Sequence, residues 1–382
     1  MKSLTVVCMA VLFSCVPAER AVRKQVTKNV ESLDLKEVTE PRSEQFLQQM
    51  VKEIHFTGVA LVIHKGEVIH AKGYGNASSV MPNTVNTHFH VASITKQFTA
   101  AAILQLSEKK ILNIDGHINS YLPKKYRSQK WGGVTIHHLL SHSSGIPDYA
   151  VTRDYYHVKK GFCLGNTIDG MIREAMAKDL EFSPGTKFSY TNLGYTLLGN
   201  IIENLTGTSF EKYLKENVLS PIGMHNSEVH IEGHTASAKE AQGYRFSQEQ
   251  KKLIPDDEKS LPVTAPDGGL ITTLSDFIKW IQLYRESGSK ILKPESVQKI
   301  LKPAIKTGWN GPASILDNVG YGLFLGNSFI SHMGEIVGFK SYFVFDRAQD
   351  VLVVVFANST TTDPIQVAIG LMEKLGYLRE SA

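Results

Sequence analysis

The chain has 382 residues, of which 42% are hydrophobic and 20% are charged, and its formal net charge at pH 7 is +4. This composition is that of an ordinary globular protein, and the length allows one large domain or two intergrown ones. The positive residues are scattered along the chain, so the sequence gives no indication of a nucleic-acid partner.

Residues 1–18 are predicted to be a secretory signal peptide. Lys2 precedes an apolar stretch, residues 4–13, which is too short to span a bilayer as a mature anchor. Two processing sites fit the residues after this stretch: a relaxed lipobox, which would leave Cys15 lipidated and attached to a membrane, and an ordinary cleavage site after Ala18. Either outcome predicts that the protein leaves the cytoplasm, for the periplasm or envelope of a bacterial cell or for the medium.

Residues 19–44 alternate basic and acidic side chains with few large apolar ones, a composition typical of a solvated tether. Residues 45–382 are predicted to form the folded domain. Cys163, flanked by glycines, is the one cysteine of this domain, so an intramolecular disulfide is excluded after processing.

The predicted elements place β-strands at both ends of the domain and helices between them. Apolar residues recur at helical spacing from Ser43 to Ile54, which predicts the first core helix. A β-hairpin of residues 58–64 and 67–73 follows, and a helix begins at Ser93. Further helices are predicted over residues 168–178, 193–206, 210–217, 273–284 and 365–375, and further strands over residues 321–329, 338–346 and 351–358.

Short turns join the strands that are neighbours in sequence, so these strands are expected to pair antiparallel. The predicted fold class is therefore α/β of the α+β type. An antiparallel β-sheet flanked by helices is expected from residues 45–108 and 265–382, and an all-α lobe from about residues 109–264. An active site is expected in the cleft between the sheet and the lobe.

Ser93 and Lys96 are the first candidate catalytic residues. They stand three positions apart at the start of a helix, so the hydroxyl and the amine lie on the same face. The partial positive charge of a helix N-terminus favours a nucleophilic oxygen. Three other Ser-x-x-Lys tetrads begin at Ser107, Ser209 and Ser287, so the pattern alone does not single out Ser93.

Two further motifs distinguish the Ser93 tetrad from the other three. Tyr190-Thr-Asn192 follows a Pro/Gly-rich loop, and His332-Met-Gly334 lies among the late strands. In this order the three motifs resemble the Ser-x-x-Lys, Tyr-x-Asn and Lys/His-x-Gly signatures of the serine β-lactamase and penicillin-binding-protein superfamily. Over about residues 44–375 the chain resembles its class C-like branch. That branch includes class C β-lactamases, D-alanyl-D-alanine carboxypeptidases, D-aminopeptidases and family VIII-type esterases.

The resemblance implies that residues 45–382 are a β-lactamase-like hydrolase domain with an acyl-enzyme mechanism and Ser93 as the nucleophile. The general base would be either a neutral Lys96 or Tyr190 as a phenolate beside a charged Lys96, and the sequence leaves this choice open. Asn192 would donate from its amide to the substrate and orient Lys96 with its carbonyl. The resemblance also implies two oxyanion donors, the backbone N–H groups of Ser93 and Glu335.

His332 and Gly334 would contact the substrate from their strand. β-Lactamases usually carry lysine in place of His332, and a lysine is a permanent cation that attracts the carboxylate of an anionic substrate. Histidine is mostly neutral near pH 7, which favours neutral esters or amides.

The predicted function is therefore a serine hydrolase, without a cofactor, that acts on a small carboxylic ester or a D-amino-acid amide or peptide. Two alternatives remain: a class C-type β-lactamase, and a non-catalytic protein that binds peptidoglycan-like ligands.

His138 and His142 stand one helical turn apart, which is the spacing of metal ligands. No acidic third ligand accompanies them, and no metal site is predicted. Asp148 and Tyr149 are expected to shape the rim of the cleft.

Overall fold

The computed structural model describes residues 35–148, 167–231, 234–256, 264–309 and 316–378. The predicted signal peptide with Cys15, residues 19–34 of the predicted tether, Tyr149 and Cys163 lie outside the described residues. Among the residues that are described, no helix is both long and apolar enough to cross a membrane.

The described residues form an eight-stranded antiparallel sheet in which the two ends of the chain meet. Its strands, in spatial order, are β2 (Glu67–Tyr74), β1 (Gly58–His64), β13 (Val351–Ala357), β12 (Phe339–Asp346), β11 (Phe329–Ile336), β10 (Phe324–Leu325), β9 (Asn318–Val319) and β8 (Ile305–Lys306). Because β1 pairs with β13 along its whole length, the N-terminal hairpin is built into the C-terminal sheet. The predicted antiparallel sheet is thereby confirmed.

Helices cover this sheet and form the second part of the fold. In chain order they are α1 (Pro41–Ile54), α2 (Lys96–Glu108), α3 (Ile136–Leu140), α4 (Ile168–Ala177), α5 (Asn192–Thr206), α6 (Phe210–Leu214), α7 (Ala265–Gly268), α8 (Leu274–Arg285), α9 (Pro294–Ile300) and α10 (Pro364–Lys374). The helices predicted between residues 168 and 375 begin and end within a few residues of those observed.

The face of the sheet that packs against α1 and α10 holds a large apolar core. All seven residues of β13 are buried, and four are valines, whose branched side chains suit a pleated surface. Leu47 of α1 and Leu371 of α10 pack with Val353 in one cluster. The two helices approach closely at Gly370, where a Cβ would lie 2.3 Å from the ring of Phe46.

Two smaller sheets occur in the described part of the chain. One has the order β3 (Phe89–His90), β7 (Leu270–Thr272), β4 (Glu228–Val229), and the other pairs β5 (Tyr244–Ser247) with β6 (Lys252–Pro255). The short strands β4, β5 and β6 lie in the segment predicted to be helical, and the sequence did not predict them. The first of these sheets leads directly into Ser93.

The prediction that residues 35–44 belong to a tether is wrong, because they pack on the domain. Leu35 is buried, and a carboxylate oxygen of Glu40 accepts a hydrogen bond from the backbone N–H of Ser43 at 2.7 Å. This contact caps α1, which therefore begins at Pro41.

The single strand predicted over residues 321–329 is wrong in its extent, because only Phe324–Leu325 (β10) and Phe329, the first residue of β11, are in strands. Gly322 has a φ of +70°, and a Cβ there would lie 2.9 Å from the backbone of Gln97. The segment therefore turns against the start of α2. The long strand begins only at Phe329, which places His332 inside the sheet.

Candidate active site

Ser93 lies between β3 and α2, in a 3₁₀ turn formed by Ala92–Thr95. Ala92 has a φ of +46°, a strained backbone conformation for a residue with a Cβ. The Thr95 hydroxyl donates to the Ala92 carbonyl at 2.6 Å and accepts from the Leu270 N–H at 2.9 Å. These bonds connect the strained turn to β7 and hold Ser93 within the turn. We call residues Ala92–Thr95 the nucleophile turn.

Lys96 is fully buried beside Ser93, and its amine contacts three oxygens. Lys96 Nζ donates to Ser93 Oγ at 3.0 Å, to Asn192 Oδ1 at 2.8 Å and to the Asp267 backbone carbonyl at 2.9 Å. A charged ammonium uses its three hydrogens in this way. A neutral amine has two hydrogens and one lone pair, so it could accept the Ser93 proton while donating to the other two oxygens.

Asn192 is the first residue of α5, and Asp148 positions it. The backbone N–H groups of Asn192 and Leu193 each donate to Asp148 Oδ1 at 2.9 Å, and the Asn192 side-chain amide donates to Asp148 Oδ2 at 3.3 Å. The amide nitrogen therefore faces Asp148 and the amide oxygen faces Lys96. Asp148 thus does more than shape a rim, because it fixes the orientation of the Asn192 amide.

Tyr190 is held by ring contacts. Lys96 Nζ lies 4.9 Å from the centre of the Tyr190 ring, and the His142 ring stacks on Tyr190 at 4.3 Å. Burial, together with the charge of Lys96 and the nearby His332, holds the pKa of His142 well below its usual range. His142 Nδ1 accepts the Thr191 N–H at 3.1 Å, so a neutral ring carries its proton on Nε2.

The histidine one helical turn earlier has a different role. Nδ1 of His138 accepts the Thr135 N–H at 3.2 Å and thereby helps to cap α3. His142 instead stacks on Tyr190, so the two side chains serve separate parts of the site.

His332 approaches the site from β11 as an uncharged side chain. Burial and the charge of Lys96 lower the pKa of His332 to about 3. Its Nδ1 donates to the Met333 carbonyl at 2.6 Å, and its ring lies 6.3 Å from that of Tyr190. The imidazole is therefore neutral at pH 7, as the sequence suggested for different reasons.

Gly334 lets β11 pass directly along the turn that carries Ser93. A Cβ at Gly334 would lie 2.1 Å from the Val91 carbonyl oxygen and 3.1 Å from the Ser93 backbone nitrogen. Glu335 follows on the same strand, and its exposed carboxylate lies 3.4 Å from Lys340 Nζ. The strand thus brings its backbone next to the backbone N–H of Ser93.

Three aromatic side chains, Phe188, Trp309 and Phe324, form what we term the aromatic rim. Phe324 lies 4.8 Å from Trp309 and 5.2 Å from His332 between ring centres. Phe188 meets Trp309 and Phe324 edge-on, at 6.0 and 6.4 Å. Trp309 is 39% exposed, so an apolar surface borders the His332 side of the site.

The structure therefore places Ser93, Lys96, Tyr190, Asn192, His332 and Gly334 around one site, with Glu335 next on the strand of His332. It adds His142, the Asp267 carbonyl and the aromatic rim, which the sequence did not assign to the site, and it gives Asp148, expected only at the rim, a positioning contact with Asn192. Phe188 stands two positions before Tyr190, and this closeness in sequence could have placed Phe188 near the site. Nothing in the spacing of Asp148 indicates that it would reach Asn192.

The comparisons with known proteins agree with this arrangement. The model of the β-lactamase family matches residues 44–373. Protein flp from Staphylococcus aureus strain MRSA252 is 29% identical over 314 residues, which are 80% of this chain and 60% of that protein. The chain thus spans about three fifths of the length of this relative.

Solved structures share the fold. The octameric penicillin-binding protein homologue from Pyrococcus abyssi superposes with a TM-score of 0.74 at 33% identity, covering 88% of this chain and 77% of that one. A D-amino acid amidase from Ochrobactrum anthropi SV3 has the same fold, with a TM-score of 0.72 at 22% identity over 88% of this chain and 98% of its own. The family match over residues 44–373 shows that this chain belongs to the β-lactamase family.

Proposed function

We propose that this protein is a serine hydrolase that forms an acyl-enzyme at Ser93 from a small carboxylic ester or a D-amino-acid amide or peptide. The observation that carries the proposal is the contact of the buried Lys96 amine with Ser93 Oγ at 3.0 Å. A serine hydroxyl is a weak nucleophile at neutral pH and needs such a neighbouring base. A protein that only bound its ligand would need no such contact.

In the acylation step, Lys96, which is charged in the resting site, first loses one proton to solvent. Ser93 Oγ then attacks the substrate carbonyl carbon, and its proton passes to the neutral Lys96 amine. The negative oxygen that develops on the carbonyl is stabilised by the backbone N–H groups of Ser93 and Glu335. Lys96 is assigned as the base because it contacts Oγ directly. The proton then goes to the departing alcohol or amine, and we assign this transfer to the hydroxyl of Tyr190, whose ring centre lies 4.9 Å from Lys96 Nζ.

In the second step, water attacks the acyl ester, its proton returns through the same base, and the acid product leaves with Ser93 restored. Asn192 holds Lys96 through its amide oxygen at 2.8 Å. Its amide nitrogen has two hydrogens, one of which faces Asp148. The other is assigned to a substrate carbonyl or amide oxygen.

Two features support a neutral, apolar substrate. His332 is uncharged at pH 7, so the strand that carries it offers no cation there for a substrate carboxylate. The aromatic rim provides an apolar surface beside it. We therefore assign the preferred substrates to esters and amides that carry no carboxylate and have an aromatic or aliphatic group, ahead of β-lactams. The amidase with the same fold is named for amides of D-amino acids, which also carry no carboxylate.

The proposal is tested with a panel of substrates: a p-nitrophenyl ester with an aromatic acyl group, a D-amino-acid amide, a D-alanyl-D-alanine peptide and a chromogenic cephalosporin. We expect turnover of the ester or the amide to exceed that of the cephalosporin. Ser93→Ala should lose at least about 1,000-fold in activity. Ser107→Ala, which alters another Ser-x-x-Lys tetrad, is the matched control and should be unchanged.

The other functions give different results in the same panel. A preference for the cephalosporin would favour a β-lactamase. Saturable binding without turnover or acylation would favour a binding protein, and activity retained by Ser93→Ala would show that the nucleophile is a different residue.

We also propose that the protein is exported, on the basis of residues 1–18. The intact mass of the protein from its native host should correspond to cleavage after Ala18 or to a lipidated Cys15. A mature chain that still begins at Met1 would contradict export by this segment.

A further inference from the structure

A second cluster of polar side chains lies away from Lys96, on the small sheet that leads into Ser93. One oxygen of Glu240 lies 2.7 Å from His90 Nε2, and the other lies 2.9 Å from His234 Nε2. Glu228, at the start of β4, completes a group in which one ligand atom each of Glu228, His234 and Glu240 lie within 4.8 Å of one another. We call these three residues the His–Glu cluster.

Two residues of the cluster are nearly buried, and the third is exposed to solvent. The side chains of Glu240 and His234 are only 4% and 11% exposed, whereas Glu228 is exposed. The backbone next to Glu240 is fixed to the residue that precedes β3: the Ala241 N–H donates to the His88 carbonyl at 2.9 Å. An ion could therefore enter past Glu228 and meet ligands that are already ordered.

A third histidine, His230, lies beside the cluster and offers a further ring nitrogen. The ring centre of His230 lies 4.8 Å from that of His234. Among the described residues its buried Nδ1 has no hydrogen-bond partner.

We propose that Glu228, His234 and Glu240 bind a zinc ion, with His230 or water as a further ligand. Zinc takes imidazole nitrogen and carboxylate oxygen at about 2.0–2.2 Å, which sets tetrahedral ligand atoms about 3.4 Å apart. The observed spacing of at most 4.8 Å requires a small inward movement, which the exposed Glu228 side chain can make.

His90 orients one of the proposed zinc ligands. It forms a hydrogen bond with the Glu240 oxygen that faces away from His234, and such bonds to ligating carboxylates are common around metal sites. His90 is also three residues before Ser93, so an ion at the cluster would brace the strand that leads into the nucleophile turn. The site is separate from the hydrolytic residues and does not depend on the proposed reaction.

The test uses the full-length protein stripped with a chelator and titrated with zinc chloride by calorimetry. We expect one equivalent of zinc to bind and to raise the melting temperature by several degrees, because the ion binds the folded state. Co²⁺ in place of zinc should give the visible absorption of a four- or five-coordinate ion.

Glu228→Gln should weaken zinc binding at least about tenfold, and His234→Ala should weaken it further. Because Glu228 is exposed, Glu228→Gln should fold normally. A loss of zinc binding in this variant would therefore not result from unfolding. His225→Ala, which removes an exposed histidine from the same region, is the control and should leave the affinity unchanged. Absence of stoichiometric binding, or zinc affinity unaltered by Glu228→Gln and His234→Ala, would overturn the proposal.

Discussion

The two sides of Ser93 are built in opposite ways. On the helical side, the buried amine of Lys96 contacts the serine, an amide oxygen and a backbone carbonyl. On the sheet side, His332 is neutral and packs beside Phe324 of the aromatic rim. We propose from this difference that the helical side transfers protons, while the sheet side determines which substrates fit. Single substitutions on each side can separate these two roles.

The largest effect is expected from Lys96→Met, which removes the proposed base but keeps an unbranched side chain of similar length. We expect kcat/KM for a neutral ester to fall about 1,000-fold, because general base catalysis contributes on this order. Steady-state kinetics measure the change. Lys110→Met, at the end of another Ser-x-x-Lys tetrad, should be unaffected. If Lys96→Met kept a tenth or more of normal activity, Lys96 would not be the base, and the proposed role of the helical side in proton transfer would be wrong.

Gly334→Ala tests how closely the sheet side must approach Ser93. The new Cβ would meet the Val91 carbonyl at 2.1 Å, so β11 must move away from the nucleophile turn. We expect kcat to fall about 100-fold, because a small displacement of catalytic groups has effects of this size.

The control for that variant is Gly133→Ala, where a Cβ would be 3.9 Å from its nearest neighbour, Pro184. Its kcat and its free energy of unfolding in urea should match those of the unmodified protein. A normal kcat in Gly334→Ala would show that the contact of β11 with the turn is not needed.

His142→Phe tests the support of Tyr190 on the helical side. Phenylalanine keeps a ring against Tyr190 but leaves the buried Thr191 N–H without its acceptor. We expect kcat to fall about tenfold with KM nearly unchanged, and a loss of about 1–2 kcal/mol in the free energy of unfolding.

His138→Phe is matched to it, because it also removes an imidazole acceptor from a backbone N–H, that of Thr135. It should lose comparable stability and keep its kcat. Equal falls in kcat in both variants would mean that His142 acts through stability alone.

The smallest effect is expected from His332→Lys, which introduces a cation on the sheet side. The ratio of kcat/KM for an ester bearing a carboxylate to that for its uncharged counterpart should rise about threefold to tenfold. The gain is small because Lys96 disfavours a second positive charge nearby. His64→Lys, at the far end of β1, should leave the ratio unchanged. An unchanged ratio in His332→Lys would show that charge on β11 does not select substrates.

The parts of the fold that were predicted correctly are those whose signals are local. The hairpin of β1 and β2 follows from two strand-like runs joined by a Lys65-Gly66 turn, and the helix α5 follows from its helical spacing. The strand predicted at residues 321–329 was only partly correct, because Gly322 turns the chain to fit against α2 and leaves the short strand β10 there. That constraint comes from a segment more than 200 residues away.

The site divides in the same way. Ser93 and Lys96 could be paired from their spacing, but Asp148 joins Asn192 across 44 positions and His142 reaches Tyr190 across a similar distance. Contacts of this kind have no periodicity or spacing in the sequence. The same is true of the bond that orients the His–Glu cluster, because Glu240 bonds to His90 across 150 positions.

The central claim is that Ser93, placed beside Lys96, carries the acyl group. The direct measurement is the intact mass of the protein quenched with acid during turnover of a p-nitrophenyl ester, followed by peptide mapping. We expect a gain of one acyl group on the peptide that contains Ser93, and no gain in Ser93→Ala. Turnover without that adduct, or an adduct on another residue such as Ser143, would contradict it.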